Sequence, residues 1–205
     1  MLQHVPSLEK LVNELAKLPG VGPKTAQRLA YYVLKSPKAY NDALRLALEK
    51  VRDAVHECPQ CFAFTENDGL CHYCLDAARM NEAICVVEDP ADIARIDSSG
   101  AFRGRYHVLH GAISPLDGVG PQDIRIEPLL ERLRANDVRE VILALDADLE
   151  GDTTVLYIAK QLQAPGFKEK NIKITRIAHG IPIGGDIDYI DHRTLGRALE
   201  NRIEL

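Results

Sequence analysis

The chain contains 205 residues, of which 46% are hydrophobic and 27% are charged, and its formal net charge at pH 7 is −5. These values are typical of an ordinary soluble protein that can bury a hydrophobic core in one domain or two. They exclude a membrane-spanning protein, because no stretch approaches the roughly 18 consecutive apolar residues that a span needs, and the negative charge argues against indiscriminate binding of nucleic acid.

Three helices are predicted in the first 57 residues, where apolar residues recur at helical spacing. The first has its N-cap at Pro6-Ser7 and stops at Pro19-Gly20. The second begins at Pro23, because a proline in the first turn of a helix loses no hydrogen bond. The predicted inner face of the second helix consists of Ala26, Leu29, Ala30 and Val33. The apolar stripe of the third helix consists of Leu44, Leu48, Val51 and Val55.

The turn between the first two helices reads L-P-G-V-G-P-K over residues 18–24, which resembles a helix-hairpin-helix module. Gly20 and Gly22 permit a tight hairpin that aims backbone N–H groups outward at the start of the second helix, where the helix dipole favours an anion. Lys24 and Arg28 lie four residues apart and therefore share a face of that helix. The alternative is a plain connector in which proline and glycine only break the helices. We predict that these four residues bind DNA phosphates without reading bases.

The charge distribution points to the same segment. Residues 1–57 hold nine Lys and Arg against six Asp and Glu, a net of +3, whereas residues 58–205 hold 16 against 24, a net of −8. Only the first segment is therefore suited to a polyanion.

Four cysteines follow in two C-x-x-C pairs, Cys58 with Cys61 and Cys71 with Cys74, separated by nine residues. Each pair turns two thiolates to one side of the backbone, so that two pairs can surround a zinc ion tetrahedrally. Four protein ligands leave no position for water, which predicts a structural zinc site. A pair of disulfides is the alternative. The absence of a recognisable signal segment and the odd total of five cysteines favour a reducing cytoplasm and zinc.

Two residues near the cysteine pairs are assigned other roles. Cys85 lies in an apolar run and is predicted to be a small buried residue of a strand. His72 could replace a thiolate as a ligand, but with four thiols available we expect it to be an exposed loop residue.

After Cys74, short β-branched runs alternate with helices, which is typical of an α/β domain with a largely parallel sheet. Strands are predicted over residues 84–88, 106–109, 141–145 and 172–177. Helices are predicted over 90–96, 124–134 and 152–163, followed by a Gly-rich loop over 180–186 and a last helix near 193–201. The predicted fold class is a multidomain α/β protein with a helical module, a small four-cysteine finger, an α/β domain and a helical tail.

Carboxylates stand at the ends of two predicted strands: Glu88 follows the first, and Asp146 and Asp148 follow the third. Ligands of open parallel sheets bind at this edge. Two aspartates spaced by two residues in an extended chain point the same way, so they could hold Mg²⁺ together with Glu88 from a neighbouring strand. The alternative is that Asp148 or Glu150 only caps the next helix.

The acids, with D-x-D-x-E-G over residues 146–151, resemble the Toprim domain of topoisomerases, primases and small nucleases. The order of the elements, followed by Gly184-Gly185-Asp186 and T-L-G-R-A-L-E over residues 194–200, resembles the RecR family of bacterial recombination mediators over nearly the whole chain. The most specific stretches are residues 106–121 and 155–160. Predicted boundaries are 1–57 for the helix-hairpin-helix region, 58–74 for the zinc finger, 81–178 for the Toprim domain and 179–205 for the tail.

The resemblance implies a non-enzymatic, cytoplasmic and nucleoid-associated protein. It implies a ring-shaped homo-oligomer, a tetramer, that encircles DNA and acts with RecO and RecF to load RecA onto gaps coated by single-strand binding protein. It further implies that Lys24 and Arg28 contact DNA, that Glu88 and the Asp146 region dock RecO, and that the C-terminal loop and tail form oligomer contacts.

The chain departs from the family pattern at Asp146-Ala147, where members often carry Asn-Pro. Its set of Toprim acids, Glu88, Asp146 and Asp148, is therefore complete. Two alternatives stay open beside the mediator: a Mg²⁺-dependent Toprim nuclease, and a zinc-stabilised scaffold that makes no contact with nucleic acid.

Overall fold

The computed structural model describes residues 5–203, and the chain divides into two compact units with the boundary after Val55. The predicted segments 1–57 and 179–205 therefore extend beyond the described residues at either end of the chain. Within residues 5–203, no helix combines the length and the apolar character that crossing a bilayer requires.

The N-terminal unit consists of three helices, α1 (Pro6–Leu15), α2 (Pro23–Lys35) and α3 (Lys38–Ala54). α1 packs against α2, and the buried residues of these two helices are Leu8, Ala26 and Ala30. The predicted N-cap is displaced, because α1 already begins at Pro6 and Val5 occupies the cap position without a capping side chain. Proline is suited to the first position of a helix, which leaves Ser7 inside the first turn.

The predicted apolar stripe of α3 is exposed. No residue of α3 is buried, and Leu48 and Val51 expose 67% and 62% of their surface. An amphipathic helix in a globular protein normally turns its apolar stripe toward a core. The stripe of α3 is therefore an apolar surface that the described chain leaves uncovered.

Over its described residues, the second unit contains a small hairpin, a four-stranded sheet and five α-helices. Its strands are β1 (His56–Glu57), β2 (Phe64–Thr65), β3 (Ala83–Val87), β4 (Arg105–Val108), β5 (Glu140–Ala144) and β6 (Lys173–Arg176). Its helices are α4 (His72–Leu75), α5 (Pro90–Ser98), α6 (Ile126–Ala135), α7 (Leu149–Leu162) and α8 (His192–Glu200), with 3-10 turns at Lys168–Lys170 and Ile187–Tyr189. β1 and β2 are antiparallel, and the other four strands form a parallel sheet in the order β4-β3-β5-β6.

The four predicted strands of the sheet are confirmed to within one residue at either end, and the predicted fold class is confirmed with them. The elements β1, β2 and α4 were not predicted, because segments of two to four residues are too short to show a period. His72 is exposed as expected, but it lies in the first turn of α4 instead of a loop.

Side chains of the sheet alternate between two hydrophobic clusters, as the period of a strand requires. Ile84 and Val86 of β3 belong to a cluster that also contains residues of α6 and α7. Cys85 and Val87 belong to a second cluster, on the opposite face, that contains the four paired cysteines. The prediction of Cys85 as a buried strand residue is confirmed, since it exposes only 2% of its surface.

Candidate functional site

The hairpin between α1 and α2 is closed by a turn in which the amide of Val21 donates to the carbonyl of Leu18 at 3.0 Å. Gly20 has a φ of +75°, a left-handed conformation that glycine adopts without strain. Gly22 has a φ of −73° and occupies the N-cap position of α2. The backbone of the turn therefore needs glycine at residue 20 but not at residue 22.

Gly22 leaves the N-terminus of α2 open to an outside group. A Cβ built on Gly22 would meet nothing within 4 Å, so neither space nor backbone conformation within the chain requires glycine there. No side chain caps α2, and Pro23 has no N–H, so the first-turn amides of Lys24 and Thr25 lack a capping side chain. Such an end is suited to an anion that approaches the backbone closely.

Lys24 and Arg28 are both exposed on the first two turns of α2. Neither side chain forms an ion pair with a carboxylate in the part of the chain that the structure describes. The structure thus places two unpaired cations on the helix whose amino end is open. All four residues predicted to bind DNA phosphates, Gly20, Gly22, Lys24 and Arg28, lie within this hairpin.

The four paired cysteines form a buried cluster in which all sulfur atoms lie within 4.8 Å of one another. The Sγ atoms of Cys61 and Cys71 are 3.4 Å apart, and the amide of Cys71 donates to Sγ of Cys58 at 3.3 Å. Hydrogen bonds from the thiols of Cys61 and Cys74 lower the pKa of Cys71, whereas hydrogen bonds with Cys71 and Cys74, together with burial, raise the pKa of Cys61. The predicted set of ligands is therefore brought together, and it could hold a metal ion.

Hydrogen bonds from β4 to backbone carbonyls of the cysteine segments tie this cluster to the sheet. The amide of Val108 donates to the carbonyl of Cys61 at 2.8 Å, and the guanidinium of Arg105 donates to the carbonyls of Tyr73 and Cys74 at 2.8 and 3.0 Å. The four cysteines also share a hydrophobic cluster with Tyr106 and with the β3 residues of the same face. The cysteine cluster and the sheet thus form one packed body.

The predicted acids lie along the same carboxyl edge of the sheet, because β3 and β5 are adjacent parallel strands. Glu88 and Asp148 line one groove of about 490 Å³ together with three further carboxylates, those of Asp117, Asp123 and Glu150. Burial, and then the carboxylates of Asp146 and Asp148, raise the pKa of Glu88. Its Oε2 is buried and has no hydrogen-bond partner among the described residues.

Asp148 caps α7, as the alternative interpretation of the sequence stated. Its carboxylate accepts a hydrogen bond from the amide of Gly151 at 2.8 Å. Asp146 is exposed. Among residues 5–203, only the cysteines form a group of three or more potential ligands whose donor atoms are as close as a metal requires. The edge is therefore strongly acidic, but its acids are not arranged around a common point.

One charged cluster was not predicted from the sequence. Arg176, Arg193 and Arg197 converge on the carboxylate of Asp152. The only signal was the spacing of Arg193 and Arg197, four residues apart on the predicted last helix.

Three family models match successive parts of the chain: the RecR helix-hairpin-helix over residues 8–52, the Toprim domain over residues 82–178 and the RecR C-terminal segment over residues 180–203. Recombination protein RecR of Bdellovibrio bacteriovorus is 59% identical to this chain over 98% of the chain and 99% of that relative. The chain belongs to the RecR family.

RecR proteins of other bacteria match over a similar length. That of Syntrophotalea carbinolica is 48% identical over the whole of both chains, and that of Myxococcus xanthus is 46% identical over 97% of this chain and 98% of the relative. The resemblance to RecR that was identified from the motifs is thus confirmed. The RecR helix-hairpin-helix match covers the open hairpin, and the Toprim match covers the acidic edge.

Proposed function

We propose that this RecR-family protein is a non-enzymatic recombination mediator that holds DNA and acts with RecO and RecF to load RecA onto gaps coated by single-strand binding protein. Such a protein works in the cytoplasm, at the nucleoid. The observation that carries the proposal is the open amino end of α2, where no side chain caps the helix and where Lys24 and Arg28 form no ion pair among the described residues.

A DNA phosphate satisfies what this hairpin lacks. The uncapped amides at the start of α2 are donors that water or an anion must satisfy, and the helix dipole favours the anion. Lys24 and Arg28 add two charges that release counterions when a phosphate binds. Gly22 lets the sugar-phosphate backbone approach the amide without a Cβ in the way. These contacts reach phosphates and no base edge, so the binding is independent of sequence.

Zinc is the metal that we assign to the four cysteines, and its role is structural. A tetrahedron with Zn–S distances of about 2.3 Å has edges of about 3.8 Å between sulfur atoms. The cluster, with sulfurs within 4.8 Å and one pair at 3.4 Å, suits those dimensions. Four thiolates fill the coordination shell, so the ion would hold the loop segments around β1, β2 and α4 and would not activate water.

The acidic groove, together with the exposed Asp146 at the same edge of the sheet, is proposed as the docking surface for RecO. Five carboxylates line it, and such a surface attracts a basic partner and raises the rate of association. Mg²⁺ binding is the alternative, supported by the proximity of Asp146 and Asp148 to Glu88. We favour docking, because Asp148 is already engaged as the cap of α7 and a hard cation needs several free oxygens.

A ring-shaped homo-oligomer, which we propose to be a tetramer, explains how an acidic chain holds DNA. Each protomer offers only a small phosphate site, but a closed ring repeats that site and holds the strand by topology. The uncovered apolar stripe of α3 supports self-association, because a second copy of the chain would remove it from water. The tail beyond β6 is proposed to contribute further contacts.

A DNA-binding assay with the double variant Lys24→Ala/Arg28→Ala tests the proposal. Mobility shift and fluorescence anisotropy at several salt concentrations should show weaker binding, and the slope of log K against log salt should become shallower by about 0.7 to 0.9 for each phosphate that the variant no longer neutralises. The matched control is Lys38→Ala/Arg45→Ala, which removes the same charge from residues already paired with Asp42 and Glu49. Equally weakened binding in the two double variants would contradict a specific hairpin site.

Incubating the same DNA with the protein in Mg²⁺, followed by electrophoresis of the DNA, distinguishes the mediator from a Toprim nuclease. We expect the DNA to be recovered intact. Cleavage that disappears in Asp146→Asn would overturn the mediator in favour of the nuclease, and the absence of any binding at low salt would favour the scaffold.

RecO docking is tested with Glu88→Gln/Asp146→Asn. Removing two of the carboxylates at the acidic edge should weaken binding to purified RecO, measured by calorimetry, and the difference should shrink at high salt. DNA binding through the hairpin should be unchanged. Unaltered affinity for RecO would refute the assignment of this surface.

A further inference from the structure

A cavity of about 280 Å³ lies beyond the carboxyl end of β6. Asp152 of α7 lines one side, the loop that contains His179 lines another, and Arg193 and Arg197 of α8 line a third. None of these residues belongs to the hairpin, to the cysteine cluster or to the predicted set of acids. The cavity is therefore separate from the proposed DNA, zinc and RecO sites, and it shares only the tail with the proposed contacts between copies.

Three guanidinium groups surround the single carboxylate of Asp152. Arg176, the last residue of β6, donates to its Oδ1 at 2.5 Å. The guanidinium nitrogens of Arg193 and Arg197 lie 3.8 and 4.0 Å from Oδ2, which is too far for a hydrogen bond. Arg176 alone thus satisfies Asp152, and the other two side chains keep their donors.

The charge of this cluster is unbalanced. The hydrogen bond from Arg176 lowers the pKa of Asp152, so its carboxylate is ionised and offsets one of the three positive charges. Glu200 lies 3.8 Å from Arg197 and offsets part of another, but its side chain is 70% exposed to solvent. A net charge of +1 to +2 remains around the cavity, which an anion would neutralise.

Two polar atoms at the same place lack partners. Nε of Arg176 and Nε2 of His179 are buried, and neither has a hydrogen-bond partner in the part of the chain that the structure describes. Buried polar groups in folded proteins are almost always satisfied, so each unpaired one calls for an explanation. His179 lines the cavity, so a bound oxyanion there would supply an acceptor for its Nε2.

We propose that this cavity binds a phosphate group. Guanidinium groups match phosphate oxygens through paired hydrogen bonds, and those of Arg193 and Arg197 line the cavity with their donors free of Asp152. A phosphate carries the one or two negative charges that the cluster leaves uncompensated. The group belongs either to a small phosphate anion or to the backbone of a nucleic acid strand, because both present the same oxygens.

Titration calorimetry with pyrophosphate, at constant ionic strength, tests the site. The intact chain should bind pyrophosphate, and Arg193→Gln/Arg197→Gln should bind it at least about tenfold more weakly, since each charge-assisted hydrogen bond contributes about that factor. The control Arg139→Gln alters another exposed arginine of the same unit and should leave binding unchanged. Acetate at the same concentration should not compete.

A variant that removes a negative charge distinguishes the loss of the binding site from damage to the fold. Asp152→Asn removes the carboxylate that competes for the arginines, so it should bind pyrophosphate more tightly than the unaltered chain, whereas a damaged site would bind it less. Four results would each overturn the proposal: no binding of pyrophosphate by the unaltered chain, equal binding by Arg193→Gln/Arg197→Gln, weaker binding by Asp152→Asn, or full competition by acetate.

A short single-stranded oligonucleotide then distinguishes the two sources of phosphate. The site takes backbone phosphates if three results agree. The oligonucleotide displaces pyrophosphate from the unaltered chain, and it also displaces it from Lys24→Ala/Arg28→Ala. It binds less tightly to Arg193→Gln/Arg197→Gln than to the unaltered chain. If it leaves pyrophosphate bound, the site takes small phosphate anions. Weaker oligonucleotide binding confined to the hairpin variant would concern the proposed DNA contact and not this cavity.

Discussion

Gly151 shows how one residue holds the acidic edge in place. The first turn of α7 passes so close to the preceding loop that a Cβ on Gly151 would lie 2.1 Å from the carbonyl oxygen of Asp146. The amide of Gly151 also donates to the carboxylate of Asp148, which caps the helix. The missing Cβ of Gly151 therefore permits the close contact with the loop, and its amide completes the cap.

Gly151→Ala should destabilise the second unit by roughly 1 to 3 kcal/mol or more, because the backbone atom that the new Cβ would meet cannot rotate away. Thermal and denaturant unfolding measure this change. Gly196→Ala is the matched control: it lies within α8 with nothing within 4 Å of its Cβ position, so alanine there should be neutral or stabilising by up to about 1 kcal/mol. Similar stabilities of the two variants would contradict the close approach at Gly151.

The element that contains the cysteines depends on contacts outside itself. β1, β2 and α4 have two to four residues each, and such short elements are not stable alone. Their loops are fastened to β4 by hydrogen bonds from Val108 and Arg105, and the sulfurs lie in the hydrophobic cluster of the sheet. Loss of the proposed zinc ion should therefore also destabilise the sheet.

Cys71→Ser should reduce the zinc content of the purified protein and lower its stability by several kcal/mol, because binding of a structural zinc ion is coupled to folding. Metal analysis by mass spectrometry and thermal unfolding give the two readouts. Cys85→Ala serves as the control, since Cys85 is buried in the same cluster but is not among the four close sulfurs. It should retain one zinc ion per chain. An unchanged zinc content in Cys71→Ser would remove Cys71 from the ligands.

The first unit exposes an apolar stripe on α3, and the second unit carries the negative charge of the chain. Leu48 and Val51 of α3 are exposed, and hydrophobic stripes of this kind mark surfaces for association. The proposed ring would cover them and would also collect several hairpins around one strand. Self-association and DNA binding should therefore disappear together.

Leu48→Glu should lower the mass measured by light scattering and weaken DNA binding, because a carboxylate in an apolar contact between copies is left without a partner. The fold of the protomer should survive, since the side chain is 67% exposed. Leu156→Glu, at a position of α7 that is 70% exposed, should change neither property. A mass unaffected by Leu48→Glu, or an unaltered chain that is monomeric, would contradict assembly through α3.

Local patterns in the sequence were sufficient to predict the fold class, the strands of the sheet and the grouping of the cysteines. The strands were recognised because their apolar runs are short and separated by helical segments, as in 84–88 and 141–145. The cysteines were grouped because a C-x-x-C turn sets the positions of two sulfurs over four residues. Each of these features depends on neighbours in the chain, which the order of residues states directly.

The cluster of arginines at Asp152 and the exposure of the α3 stripe depend on contacts between distant segments, which the sequence does not state. The three arginines meet at Asp152 because the loop after β5, the end of β6 and the helix α8 come together there, and residues 152, 176, 193 and 197 are far apart in the chain. The exposure of the α3 stripe also could not be inferred, since a helical period shows that a stripe exists but not what covers it. Packing across the fold, unlike spacing along the chain, assigns each side chain its partner.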